Sequence, residues 1–422
     1  MNRFIFKSYS FNKVDKIASF NYEFEDGQHF TEKVKFNSSG KYNEGLLDKA
    51  LFLAFVLVGV SYYKTFPSIE VLVDFPIDEW QANFFNKVYQ EGLGQFAYKN
   101  DLTRNDLAHF LANTHNNTSS VSYGGSGIMA LQSGGKDSLL TASLLKKNDI
   151  DFTAWYLSNG DFYPNLLDSV GSKLIISNRS IDRINLNNAL TKGALNGHVP
   201  ITYIVQSLAV VQAILIGKSD ILVSIAHEGE EPHCKIGDLL VSHQWSKTWM
   251  AEKYFSDYVN RYISPNIRIG SPLRCYSELR VAELFVDNAW ADYGQKFSSC
   301  NISNYQQGNN NKLLSWCGKC SKCANSYLLF APFLSKTRLD KIFGDNDLLT
   351  DSKLEDIFKG LLGIGGFLKP FECIGEIDEL RAAYYMAISK GLYERLPFDV
   401  PESNFDYKRL YDAQDWAVKV LQ

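Results

Sequence analysis

The sequence predicts an α/β protein. A parallel sheet with helices on both faces is preceded by a smaller α+β unit, carries a four-cysteine knuckle and ends in a helical tail. Three observations carry this. From residue 128 onward, short apolar runs alternate with longer segments of helical period, as βαβ units require. Ahead of them the apolar residues alternate with polar ones around a turn, as in a hairpin. The chain of 422 residues also exceeds what one core usually needs, so two or three packed units are expected.

The elements follow in order. Residues 20–24 and 30–36 alternate apolar with polar around Asp26-Gly27 and read as a hairpin. Residues 46–60 read as a helix. Its greasiest stretch, 50–60, falls short of the roughly 20 residues a bilayer span needs, and Asp48, Lys49 and Lys64 flank it, so a buried helix and no membrane are expected. Residues 69–73 read as a strand, and the polar, Gly-rich 112–127 as a boundary. Strands are then expected at 128–131, 152–157, 173–176 and 221–226, and helices at 138–147, 201–216, 249–262 and 277–289. The resulting division is 1–115, an α+β domain; 125–295, the sheet domain; 296–335, the cysteine segment; and 336–422, the tail.

Composition narrows the function. A hydrophobic share of 45% with 21% charged residues excludes a disordered or fibrous chain. The net charge of −4 leaves no basic excess to hold a long nucleic acid, so any nucleotide is a small one. No apolar signal stretch follows Met1, so a cytoplasmic location is expected. Seven cysteines in such a chain point to metal or catalysis rather than to disulfides.

Gln132-Ser133-Gly134-Gly135-Lys136-Asp137-Ser138 lies between a predicted strand and a predicted helix. Two glycines let consecutive N–H groups face an anion, and the helix start adds its positive dipole end. Ser133 and Ser138 can donate to phosphate oxygens. Asp137 would be repelled by phosphate alone, so it implies Mg²⁺ or a capping duty. The spacing is neither that of a Walker loop nor that of a dinucleotide fingerprint.

Cys317, Cys320 and Cys323 form a tight triple with Cys300 upstream. Four thiolates at such spacing suit a closed, structural Zn²⁺ site. An iron–sulfur cluster is the alternative, and Cys300 can instead be a reactive thiol near the nucleotide. Cys234, Cys275 and Cys373 stand alone, and small core residues are their default reading.

Further candidates are loop residues. His198, before the 201–216 helix, either contacts substrate or caps that helix. Glu228 follows a strand at its carboxyl end, where parallel sheets bind ligands, and is a candidate base or Mg²⁺ ligand. His243-Gln244-Trp245-Ser246-Lys247 sets a proton shuttle, an amide, an aromatic face and a cation side by side. Glu372 and Cys373 place an acid beside a thiol.

The Ser-Gly-Gly-x-Asp-Ser pattern of residues 133–138 resembles the PP-loop of ATP pyrophosphatases, the adenine nucleotide alpha hydrolase-like fold. These enzymes bind ATP, release pyrophosphate and leave AMP on an acceptor oxygen. Over nearly its whole length the chain resembles the ATP-dependent UDP-N-acetylmuramoyl-L-alanyl-L-glutamate epimerases of peptidoglycan precursor synthesis. The likeness rests on Gly59-Val60-Ser61-Tyr62-Tyr63-Lys64, Gly92-Leu93-Gly94-Gln95-Phe96-Ala97-Tyr98, Asn196-Gly197-His198-Val199-Pro200, Ser277-Glu278-Leu279 and Lys369-Pro370-Phe371-Glu372-Cys373, besides the motifs above. It implies ATP and Mg²⁺ on Ser133, Gly134, Gly135, Lys136, Asp137 and Ser138. It implies Zn²⁺ on Cys300, Cys317, Cys320 and Cys323. It implies a UDP-linked muramoyl dipeptide near His198 and Gln244, and chemistry by Glu228, His243, Lys247, Glu372 and Cys373. One departure stands out: where the family tends to read Ser-Asn-Glu-x-Ser-Ala-Ser, residues 226–232 are more acidic. The middle of the chain also resembles 7-cyano-7-deazaguanine synthase, which implies a carboxylate-to-nitrile or amide-forming ligase, acting on a protein in some relatives, as the alternative.

Overall fold

The computed structural model describes residues 2–117, 120–160, 163–306 and 312–421. Its centre is a nine-stranded sheet in the order β11-β8-β5-β6-β7-β3-β2-β1-β4. The strands are β1 (Phe4–Asn12), β2 (Ile17–Phe24), β3 (His29–Lys35), β4 (Val71–Val73), β5 (Ile128–Leu131), β6 (Phe152–Ser158), β7 (Lys173–Ser180), β8 (Asp220–Leu222) and β11 (Arg268–Gly270). Neighbours from β11 through β7 run parallel, and β7, β3, β2 and β1 pair antiparallel. A separate hairpin, β9 (Cys234–Ile236) and β10 (Leu239–Val241), stands outside the sheet.

The mixed α/β architecture with a mostly parallel centre is the one expected. The hairpin around Asp26-Gly27 forms as β2 and β3, and β1 joins it as a strand the sequence reading had passed over. The N-terminal strands do not build a sheet of their own. Lys33–Lys35 pair with residues 178–180 of β7, so one sheet runs through both halves. Its register is locked by a buried ion pair: Arg179 donates to Glu32 at 2.6 and 3.1 Å, and Tyr62 Oη donates to Glu32 Oε2 at 2.7 Å. Breaking one partner would strand the other charge in the core.

The Glu44–Tyr63 helix starts on an Asn43 cap and buries sixteen of its residues. By length and composition it could cross a membrane, but 83% of that span is buried inside the protein. It packs on the Ile201–Ile216 helix, also apolar nearly all round. That core continues through Phe84, Tyr203 and Ile269. A second core joins the Lys136–Lys147, Glu278–Asn288, Ser321–Phe330 and Ile377–Ile388 helices. The strand expected at 221–226 is shorter, ending at Leu222. Beyond it Ser271 Oγ bridges the backbone of Ile225, and buried Arg274 donates to the Ala226 carbonyl at 2.7 Å. With Val223 N donating to Gly270 of β11 at 3.0 Å and His227 N to the Tyr276 carbonyl at 2.8 Å, these contacts carry the chain to Glu228.

Candidate active site

The candidate phosphate loop, residues 132–138, joins β5 to the Lys136–Lys147 helix, as its sequence predicts. Gly134 has φ +81°, and a Cβ there would lie 2.5 Å from Leu314 Cδ1, so only glycine fits. No side chain caps the helix at Gly135, so its first N–H groups remain available to an anion. Ser138 Oγ accepts from Ser133 N and donates to the Gly135 carbonyl, both at 3.2 Å. Beside the loop lies a pocket lined by Gln132, Ser133, Ser138, Gln206, Ser224, Gln244 and Lys247. Both polar atoms of the Gln132 amide are buried without a protein partner. An orphaned amide on the wall of a pocket calls for a polar ligand.

Lys136 does not point at solvent. It bonds Asp137 Oδ1 at 2.7 Å and Glu278 Oε2 at 2.5 Å. Burial opposes its charge, but these two acids outweigh burial and raise its pKa. Burial likewise opposes the Asp137 carboxylate, yet Lys136, Lys247 and Lys322 together hold its pKa low. An ionised, partly exposed carboxylate suits a divalent cation. Burial lifts Glu278 to about 7 against the pull of Lys136.

A second cleft opens on the other side of Lys247. Glu228, His243, Gln244, Lys247, Glu372 and Cys373, all named from the sequence, line it together. Gly229, at φ +81°, lets the Glu228 loop close on the 244–247 turn, where a Cβ would sit 3.1 Å from the Gln244 carbonyl. Lys247 Nζ lies 3.3 Å from both Glu228 oxygens. Burial opposes the Lys247 charge, but Cys373, Glu228, Asp137 and Glu278 raise its pKa. Burial pushes the Cys373 thiol up, and Lys247 and Lys322 pull against it. Glu372 is also raised by burial and accepts from Asn301 at 3.0 Å. His243 is pushed well down by burial, with His198, His233, Lys247 and Lys322 adding to it, so it is neutral at pH 7. Its Nδ1 lies 2.6 Å from Gln95 Oε1, and its ring 4.6 Å from that of His198. Burial brings His198 to about 4.

Cys300, Cys317, Cys320 and Cys323 converge, with all four sulfurs within 4.8 Å of one another. Three of the gaps are 3.5, 3.7 and 3.8 Å. A tetrahedral ion with metal–sulfur bonds of about 2.3 Å requires sulfur–sulfur edges of roughly 3.8 Å. The cluster can therefore hold a metal.

The MurL N-terminal domain family matches residues 1–270, and the MurL C-terminal domain family matches residues 296–398. The chain belongs to the MurL family. It is 32% identical over 384 residues to the UDP-N-acetyl-alpha-D-muramoyl-L-alanyl-L-glutamate epimerase of Xanthomonas oryzae pv. oryzae, covering 89% of this chain and 83% of that protein. It is 31% identical over 415 residues to the enzyme of the same name from Micromonospora sp., covering 94% and 89%. A third relative so named, from Salinispora tropica, is 31% identical over 395 residues, covering 90% and 83%.

Several residues in or around this MurL cleft have no assigned role from the sequence alone. Glu278, Gln95, Lys322 and Lys369 all stood inside segments that resemble the family, and that was their only signal. Lys369 pairs with Glu231 at 2.5 Å across the cleft. Glu379 had no signal at all. It lies buried behind Glu278, accepts from Leu279 N at 2.7 Å, and is pushed by burial to about 8. In the unfolded chain the same group ionises near about 4.3. Between those values folding keeps a proton that the unfolded chain releases, so stability falls as pH rises through that window. Glu379→Gln should remove up to about 1.4 kcal/mol of that loss per pH unit. Melting curves from pH 5 to 8 check it; an unchanged slope would contradict the assignment.

Proposed function

We propose that this MurL chain epimerises the terminal L-glutamate of UDP-N-acetylmuramoyl-L-alanyl-L-glutamate to D-glutamate, driven by adenylation of the glutamate carboxylate. The observation that carries the reading is Lys247, which lines both the pocket beside the phosphate loop and the cleft holding Glu228 and Cys373. A carboxylate between the two would meet a phosphate on one side and acid/base groups on the other.

An α-proton beside a carboxylate is hard to remove, because a dianion would form. The carboxylate oxygen attacks the α-phosphorus of ATP, the bond to the β-phosphate oxygen breaks, and pyrophosphate leaves. The acyl-adenylate carbonyl can then accept the C–H electron pair as an enolate. A base takes the proton from one face, an acid returns one to the other, and water cleaves the acyl bond to free AMP. Ser133, the amides of Gly134 and Gly135, and Ser138 hold phosphate oxygens. Lys136 and Lys247 neutralise the charge that develops. Mg²⁺ would sit at Asp137 and supply further charge neutralisation on the phosphates. Glu228 and Cys373 serve as the two acid/base groups. Gln244 and His198 hold the peptide.

The four-cysteine site would take Zn²⁺ as a structural ion, because an iron–sulfur cluster, with its irons spread apart, needs a wider cage. In this reading residues 1–115 and 125–295 divide substrate and ATP binding, 296–335 hold the metal, and 336–422 bring the Glu372-Cys373 loop. The reaction belongs in the cytoplasm, where nucleotide-linked precursors are made.

Incubation in D₂O with ATP, Mg²⁺ and the UDP-linked dipeptide should yield D-glutamate, deuterium at its Cα, AMP and pyrophosphate. ADP with phosphate, or amine consumption without Cα exchange, would refute it. Cys373→Ala should still form the acyl-adenylate and wash deuterium through one enantiomer while inversion falls by at least about 10²-fold. If this variant and Glu228→Gln both epimerise at full rate, the pair is wrong, and His243, Lys247 or His198 must take its place.

A further inference from the structure

A cavity of about 470 Å³ lies between the end of the Glu44–Tyr63 helix and residues 181–201. Nothing in the mechanism above fills it. His198 lines it, and the His198 ring also stands against His243 of the catalytic cleft at 4.6 Å. Ile201 lines both this cavity and the pocket beside the phosphate loop. The two openings therefore flank the start of the Ile201–Ile216 helix and lead toward the same cleft.

The charges differ sharply between the two sides of His198. The catalytic cleft is lined by Glu228, Glu231, Glu372 and Glu376 beside Lys247 and Lys369. Among the described residues no carboxylate lines the cavity, but Lys64, Arg179 and Arg183 do. Arg179 is committed to Glu32 at 2.6 Å. Lys64 Nζ donates to two neutral oxygens, Asn196 Oδ1 and the Gly197 carbonyl, both at 2.7 Å. An ammonium has three protons to give, so one remains. Burial, with Arg179 adding, lowers Lys64 to about 8, as befits a cation short of an anion. Arg183 is exposed at the rim, and no ion pair engages it among the described residues. His198 Nε2 is buried without a partner. Between these cations stand amides (Asn187, Asn196) and aliphatic walls (Leu186, Leu190). Cations for phosphates, amides for hydroxyls or a base edge, and apolar faces for rings make up what a nucleoside diphosphate sugar needs.

We propose that this cavity binds the uridine diphosphate end of the substrate, with the diphosphate held by Lys64 and Arg183. The proposal rests on the substrate reading above. ATP would then enter at the phosphate loop and the nucleotide sugar at residues 181–201, and the glutamyl end would pass His198 to reach Lys247.

The test is titration of the full chain with UDP and with uridine, both without ATP or Mg²⁺. Arg183→Glu should weaken UDP at least about tenfold, as loss of a charge-assisted contact does, and bind uridine like the parent. Arg183 is exposed, so this variant folds. Lys64→Met should weaken UDP similarly, and if it fails to fold the Arg183 result decides. In turnover, UDP should compete with the UDP-linked dipeptide, and Arg183→Glu should raise its KM about tenfold without raising the KM of the muramoyl dipeptide lacking UDP. Equal UDP binding by Arg183→Glu and parent, or absence of competition, overturns the proposal even when epimerisation is seen. UDP binding that Arg183→Glu abolishes, in a chain that epimerises no muramoyl dipeptide, upholds the cavity and refutes the substrate reading.

Discussion

Asp137→Ala is expected to lower turnover by at least about 10²–10³-fold, the range found when one preorganised electrostatic contact is removed from an active site. The fold should survive. Lys136 keeps its bond to Glu278 at 2.5 Å, so the substitution leaves no buried ammonium unpaired. What disappears is the one carboxylate of the loop, which Lys136, Lys247 and Lys322 hold ionised against burial. That charge has no packing task, and a partly exposed acid kept charged by three lysines is suited to a cation that the triphosphate brings with it. Two measurements separate function from fold. Melting temperature should stay within a few degrees of the parent, while AMP formation from ATP and substrate disappears. Asp137→Asn keeps the shape and loses the charge, so it should be as inactive as the alanine variant. If Asp137→Asn retains full activity, the carboxylate serves only as a local partner of Lys136, and Mg²⁺ must be held elsewhere.

The elements that were legible are those fixed by local pattern. The 201–216 helix and the 128–131 strand appear at the expected bounds, because an apolar helix and a short buried strand are both written in consecutive residues. The placement of residues 132–138 between a strand and a helix was legible for the same reason: glycines, hydroxyls and a helix start are neighbours in the chain. The four cysteines were legible because thiols so spaced have few other uses. What could not be read is whatever depends on pairing across the fold. Nothing local marks Lys33–Lys35 as partners of β7, so the sheet's continuity between its halves was invisible. Phe4–Asn12 alternates clearly only near its start, and as a strand next to the sheet edge it was missed. Glu278 is an ordinary residue at a helix start until Lys136, 142 positions away, is laid against it. The short β8 shows the opposite error. Residues 223–226 look like strand, but after Val223, which bonds Gly270 of β11, the chain is held by Ser271 and Arg274.

Disruption of the proposed metal site should be at least as damaging, and should reach beyond the cysteines. In zinc-finger peptides such a site contributes about 10–16 kcal/mol of metal-coupled folding energy. Here the residues next to the ligands hold both halves of the candidate active site. Asn301, beside Cys300, donates to Glu372 at 3.0 Å. Lys322, beside Cys323, donates to the Cys373 carbonyl. Ser298, which receives the Cys300 N–H at 3.0 Å, gives its own N–H to the Gly134 carbonyl of the phosphate loop at 3.4 Å. Four sulfurs drawn together thus fix the distance between the phosphate loop and the acid/base loop. Cys320→Ser should leave the protein without zinc and largely insoluble, or melting more than about 10 °C lower if it folds, since several kcal/mol are lost from one unit. Any soluble fraction should lose epimerisation as well, because Glu372 and Cys373 are no longer held against the phosphate loop. Cys234→Ser, which changes a cysteine outside the cluster, should do neither. A Cys320→Ser protein that lacks metal yet melts with the parent and epimerises at its rate would show that the cysteines bear no such load.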